Sequence, residues 1–267
     1  MSSEEHHGHA PQHHAAHNPP HGGGRNLLLY ALAILTFGAL AYNQLAIFNA
    51  QNALERLSVA AFANASLATA SGDAPATGTA LAGAKDISKA DLSKLKSTQQ
   101  SVAALFPVEG ITTQQDAIDV MIPTGTPGYG EAMGVSFDDP VNSLNLLARS
   151  YDALKEQVKA EHPETWNRFM ALASRPVGIS CEYCCGIGPI GIDANGNSAC
   201  GCQHNPAVLT VTLWLMDNTQ YSDAEVLREA LKWKTIFFPK NMVELAMKAS
   251  GTSGSAEGEL PGMVGGC

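Results

Sequence analysis

Charge is scarce in this chain, and positive charge scarcer still. Charged residues make up 15% of the sequence, and 16 Lys and Arg stand against 25 Asp and Glu, a net charge of -9. A phosphate-tracking surface needs clustered cations, so this balance excludes nucleic acid as the main partner. Also missing are Gly-x-Ser-x-Gly, His-Glu-x-x-His and any glycine-rich nucleotide fingerprint followed by Lys-Ser/Thr. Their absence removes the familiar hydrolase, zinc-protease and P-loop readings. A hydrophobic share of 45% in 267 residues excludes a wholly disordered polymer and leaves room for one or two modest domains.

What is present is unevenly placed. Seven of the nine histidines (His6, His7, His9, His13, His14, His17 and His21) fall in the first 21 residues, among Pro, Gly and polar neighbours. Residues 1–26 offer no apolar face to bury and are expected to be a disordered tail. Neutral imidazole suits zinc, copper or nickel, so the tail reads either as a metal-collecting arm or as a solvated extension.

Residues 27–48, LLLYALAILTFGALAYNQLAIF, carry no charge. At about 1.5 Å per residue this run reaches about 33 Å, enough for a hydrocarbon core of about 30 Å. A transmembrane helix is expected, with Tyr30 and Tyr42 toward the two interfaces. A cleaved signal peptide fits less well, because the apolar run is long and only Arg25 precedes it. Arg25 and Arg56 balance across the span, and the nearer Arg25 favours a cytoplasmic N-terminus with the larger domain outside. The lipid membrane, and other membrane proteins within it, are then expected partners. Residues 49–86 read as a helical extension and a small-residue linker, with Asn64-Ala65-Ser66 as a sequon should it lie outside.

The globular part is expected over 87–250 and mainly α. Ser88 and Asp91 suggest a capping box opening a helix that ends before Pro107, and a short helix follows near 113–121. The Gly/Pro-rich stretch 123–140 reads as a structural loop. Asp139-Pro140 opens a helix whose buried face is Val141, Leu144, Leu147, Tyr151, Leu154 and Val158. Further helices start at His162-Pro163, Asn205-Pro206 and Ser222 (with Glu225), and a last one covers about 240–249. Asp138-Asp139 and Glu225-Glu229 fit capping and a solvated helix face better than acid–base chemistry. Residues 251–267 read as a flexible tail ending in Cys267.

Five of the six cysteines lie in SCEYCCGIGPIGIDANGNSACGCQH, residues 180–204. Cys181-x2-Cys184-Cys185 and Cys200-x-Cys202-x-His204 flank a glycine-rich stretch, and Asn195-Gly196 signals a type I′ turn in a short β-hairpin over 190–200. A two-residue gap lets two sulfurs face one ion, and the hairpin folds the second group onto the first. Cys181, Cys184, Cys200 and Cys202 are the first four ligand candidates, with Cys185 and His204 in reserve. Zinc leads, with copper or an iron–sulfur cluster as soft-ligand alternatives. A disulfide knot and a catalytic dithiol remain as other readings of the same residues, although no βαβ context accompanies the Cys-x2-Cys.

The runs CEYCC, CGCQHNPA and YSDAEVLREALKWKTIFFP, with TGTPGYGEAMGVSFDDP and the end LPGMVGGC, resemble a group of membrane-anchored archaeal proteins that has no established activity. The resemblance covers roughly residues 123–267 and leaves out the histidine tail. It implies that 181–204 act as one unit and implies no reaction.

Overall fold

In a computed structural model, the described residues are 34, 85–252, 254, 256 and 260–266. The histidine tail, the expected membrane span (apart from helical Ile34), the extension and linker up to residue 84, and Cys267 lie outside them. Among the described residues, no helix is long and apolar enough to cross a membrane.

Among the described residues from 85 onward the structure is helical, with no strand longer than an isolated bridge. The helices are α1 (Thr98–Leu105), α2 (Gln114–Met121), α3 (Gly130–Met133), α4 (Pro140–Glu161), α5 (Pro163–Ala173), α6 (His204–Asn218), α7 (Asp223–Phe237) and α8 (Pro239–Ser250). Most starts follow local chemistry. Thr113 and Asp116 form a reciprocal capping box on α2, and Ser222 and Glu225 form one on α7. Proline occupies the first turn of α4, α5 and α8, where no amide hydrogen is needed.

The first expected helix is broken in two. The Asp91 carboxylate accepts from the Ser93 amide and hydroxyl, closing a turn and capping a three-residue 3-10 turn, Leu92–Lys94. Such short polar side chains compete with helix propagation. Ser97, not Ser88, then caps α1 through the Gln100 amide.

Helix α6 organises the domain. Twelve of its 15 residues are buried, including Val208, Leu209, Val211, Leu213 and Trp214, so it has no solvent face. A helix apolar all round belongs inside, and α6 packs against α4, α5 and α7. On α4, Leu144, Leu147, Tyr151, Leu154 and Val158 are buried as their spacing requires, whereas Val141 is 48% exposed. At about 100° per residue, Val141 sits about 100° from the centre of that stripe. Glu229 also departs from expectation. It is buried rather than solvated, accepting from the Tyr129 hydroxyl at 3.0 Å and from Lys232 at 2.6 Å.

The loop 123–140 is structural, closed by the Ser136 and Asp138 side chains around Gly125. The segment after α8 is not a free tail over its described residues. The Val264 amide donates to the Phe237 carbonyl, the Lys240 amide donates to Pro261, and Ala256 is buried.

Candidate metal centre

The cysteine segment lies between α5 and α6 and is fastened at several points. Its hairpin is reduced to one antiparallel bridge, Ile192 with Ser198, while Ile179 and Ile190 pair in parallel. The Gly196 amide donates to Asp193 and the Asp193 amide to Asn197, so Ala194 and Asn195 occupy the centre of the turn. Gly196, at φ 79, follows them. This is the three-residue hairpin loop with a left-handed glycine, not the two-residue type I′ turn that Asn-Gly suggests. The Asp193 carboxylate selects it by accepting from the Asn195 and Asn197 amides, both at 2.8 Å. The hairpin tip rests on the helices, where Tyr151 donates to the Gly196 carbonyl at 2.6 Å and Lys155 reaches Asn197 at 2.9 Å.

Residues 182–185 form a turn directly after Cys181, with the Tyr183 and Cys184 amides both donating to the Cys181 carbonyl. In a helix-like turn, positions three and four residues on share the face of the first. Cys184 and Cys185 therefore both return toward Cys181. The sulfurs of Cys181, Cys185, Cys200 and Cys202 lie mutually within 4.8 Å. Cys185 thus stands in the four-sulfur group where spacing alone favours Cys184. Cys184 joins Cys202 and a ring nitrogen of His204 in a second, overlapping group, and its sulfur is disulfide-bonded.

Within the four, Cys185 and Cys200 are joined by a disulfide, while Cys181 and Cys202 are free thiols. Cys202 lies 3.4 Å from Cys181 and 3.4 Å from Cys200. The hydrogen bond from Cys181 brings the Cys202 thiol down to about 4, helped by the Asn205 and His204 amides at the start of α6. The same hydrogen bond, with burial, raises Cys181.

His204 is fully buried, between the rings of Phe237 and Phe238. Its Nε2 lies 2.8 Å from the Val264 carbonyl, which can only accept, so Nε2 carries the proton. Nδ1 is left as a buried lone pair without a hydrogen-bond partner. A ring nitrogen fixed by a carbonyl on its far side is how ligating histidines are oriented.

Sequence patterns did not reveal the groups that hold these ligands. Asn205, read as a helix cap, is buried and bonds across the segment. Its Oδ1 accepts from the Cys181 amide at 3.2 Å, and its Nδ2 donates to the Gly191 carbonyl at 2.6 Å and to Ser198 at 2.7 Å. Lys234 is fully buried beside the loop, donating to Glu182 at 2.9 Å and to the Gly178 carbonyl at 3.1 Å; burial lowers its pKa. The quoted end LPGMVGGC was the only hint of a C-terminal contribution.

The arrangement bears on two chemistries. Thiol–disulfide relay requires the attacking sulfur in line behind the bond it breaks. For Cys202 attacking Cys200, a 3.4 Å contact plus a bond of about 2 Å would set Cys202 and Cys185 about 5.4 Å apart. They lie within 4.8 Å, so the sulfurs form a compact group and not a row. A tetrahedral ion with metal–sulfur bonds of about 2.3 Å places its sulfurs about 3.8 Å apart; Cys202 stands 3.4 Å from both Cys181 and Cys200, while the Cys185–Cys200 pair is bonded. Elsewhere, His162 Nδ1 meets Asp217 at 2.5 Å at the start of α5 with no nucleophile beside it in the hydrogen-bond network. In comparisons with known proteins, no family model, curated protein or solved structure matches the chain.

Proposed function

We propose that the domain is a metal-binding module in which the thiolates of Cys181, Cys185, Cys200 and Cys202 hold one zinc ion, with a structural or interaction role rather than an enzymatic one. The observation that carries this reading is the mutual approach of four cysteine sulfurs within 4.8 Å. The donor set is all sulfur, which favours a soft or borderline ion and disfavours magnesium or calcium. A four-iron cluster spreads its cysteines over a larger tetrahedron, so a single ion fits the compact group better. Zinc bound there would lock the loop to the start of α6, and Asn205 keeps Cys181 and Cys202 facing that position. His204, with its free Nδ1 lone pair, is the reserve ligand.

The charge-free run 27–48 supports a single-pass membrane anchor, with the metal-binding domain outside the cytoplasm. Membership of the archaeal membrane-anchored group belongs to the same reading and rests on the quoted cysteine motifs. A second reading, a disulfide-stapled ectodomain, is favoured by the Cys185–Cys200 bridge and by the disulfide at Cys184.

Anaerobic purification of the full chain, followed by elemental analysis and thiol counting, tests the proposal. About one sulfur-bound zinc per chain is expected, lost in Cys181→Ser and Cys202→Ser but retained when the N-terminal histidines are replaced. Intact disulfides with no metal would establish the stapled reading instead, and visible absorbance would point to iron.

A further inference from the structure

The four sulfurs fall into two halves of unlike construction. Cys181 and Cys202 are buried, reduced and 3.4 Å apart. Asn205 ties the Cys181 backbone to the first turn of α6, two residues beyond Cys202. Cys185 and Cys200 are bonded to each other, and Cys185 is exposed. Cys185 leads into Gly186 and Gly188, at φ 67 and 76, with open space where side chains would stand. One half is therefore a fixed pair of donors inside the protein, and the other is a pair that solvent reaches through Cys185.

We infer that the site is a metal centre under thiol–disulfide control: the Cys185–Cys200 bridge and the bound ion exclude one another, so a peroxide expels the ion and a dithiol readmits it. The inference rests on the metal reading above and adds how that site is regulated. A sulfur in a disulfide has no thiolate charge to offer a metal. Closing the bridge thus removes half of a four-coordinate donor set and leaves the buried pair, too few for zinc. Because all four sulfurs already lie within 4.8 Å while the bridge is closed, exchange between the two forms requires little backbone movement.

The chemistry balances with the reagents named. The exposed Cys185 thiolate attacks one peroxide oxygen, the O–O bond breaks, and hydroxide leaves a sulfenic acid on Cys185. The Cys200 thiolate attacks that sulfur, the S–O bond breaks, and a second hydroxide leaves. Two protons convert both hydroxides to water, and two electrons have passed from the sulfur pair to the peroxide. The ion departs as Cys181 and Cys202 take up protons. In reverse, a dithiol gives two electrons and two protons to the bridge and becomes a disulfide. The four thiols then lose their protons to solvent as the ion binds.

Cadmium is the suitable probe, because its thiolate charge-transfer absorbance reports sulfur ligation and not the histidine tail. The full chain, reduced and loaded with cadmium, is titrated with hydrogen peroxide while disulfides are mapped by mass spectrometry. The sulfur band is expected to vanish in step with formation of the Cys185–Cys200 bridge, and to return in full after reduction by dithiothreitol. Cys185→Ser removes one donor as well as the partner of Cys200, so it should start from a weaker band, and the loss that tracks the Cys185–Cys200 bridge should be absent. A band that persists once the bridge has formed overturns the control alone. So does loss of the band through some other disulfide. A fully reduced chain that shows no sulfur band overturns the metal centre itself.

Discussion

Asn205 leaves none of its side-chain polar atoms idle, accepting from the Cys181 amide and donating to Gly191 and Ser198. All of this happens at a fully buried position, so Asn205→Leu strands at least one buried amide and one carbonyl. Each such loss costs about 1–3 kcal/mol, and a total of about 3 kcal/mol is expected from urea unfolding. A loss below about 1 kcal/mol would mean that the network does not hold the segment together. Lys234 poses the charged version of the same problem, since Glu182 is its ion-pair partner and burial is complete. Lys234→Met leaves Glu182 without its cation, and about 3 kcal/mol of destabilisation is expected, with part recovered in Lys234→Met/Glu182→Leu. If the double variant is no better than the single one, charge pairing is not what Lys234 supplies. At this scale the ligands were legible and their supports were not. Cysteines confined to one segment announce themselves, whereas Asn205 looks like any helix-opening asparagine until the fold brings Cys181 and Gly191 beside it.

The helices were readable wherever a start signal coincided with an apolar stripe, as at Pro140, Pro163 and Ser222. They were misread where polar side chains had a choice of partner. Asp91 closes a turn on Ser93, and Asp193 sets a hairpin type that Asn195-Gly196 alone would have set otherwise. Gly196 shows why the latter matters. A β-carbon there would come 2.3 Å from the Trp166 ring, and the residue already stands at φ 79. Gly196→Ala should cost about 2 kcal/mol or more in unfolding and should loosen the second cysteine pair, because backbone conformation and space both oppose it. The α2 capping box gives a pH signature. The Asp116 carboxyl, drawn to about 2 from an ordinary 3.8 by the Thr112 hydroxyl and the Thr112 and Thr113 amides, is ionised in the folded state. Its contribution is complete above the unfolded value and fades as pH falls from about 4 toward about 2. Asp116→Asn should flatten the acid limb of stability against pH across that window, as followed by circular dichroism; an unchanged limb would remove Asp116 from the account.

The domain as a whole is expected to stay folded without help from its cysteines. A core that includes Trp214, Trp233, Phe106, Phe169, Phe237 and Phe238 with almost no exposure belongs to a chain large enough to stand without staples. The Cys185–Cys200 bridge closes a sequence separation of 15, which is worth about 3 kcal/mol against the unfolded state in the chain-entropy account. An ion held at one hundred times its Kd contributes about 2.7 kcal/mol. The near equality has a consequence for unfolding experiments on the reduced, bridged and metal-loaded forms. Bridged and loaded protein should melt within a few degrees of each other, since each form cross-links the two ends of the cysteine segment once. The reduced, metal-free form should melt lowest yet still cooperatively, because a loss of about 3 kcal/mol leaves a net stability in a domain of this size. Collapse of that form to an unfolded chain would make the cysteines staples for a weak core. A cooperative melt with a modest drop makes them a site, and ties the stability of the domain to whichever partner, sulfur or metal, the four thiols hold.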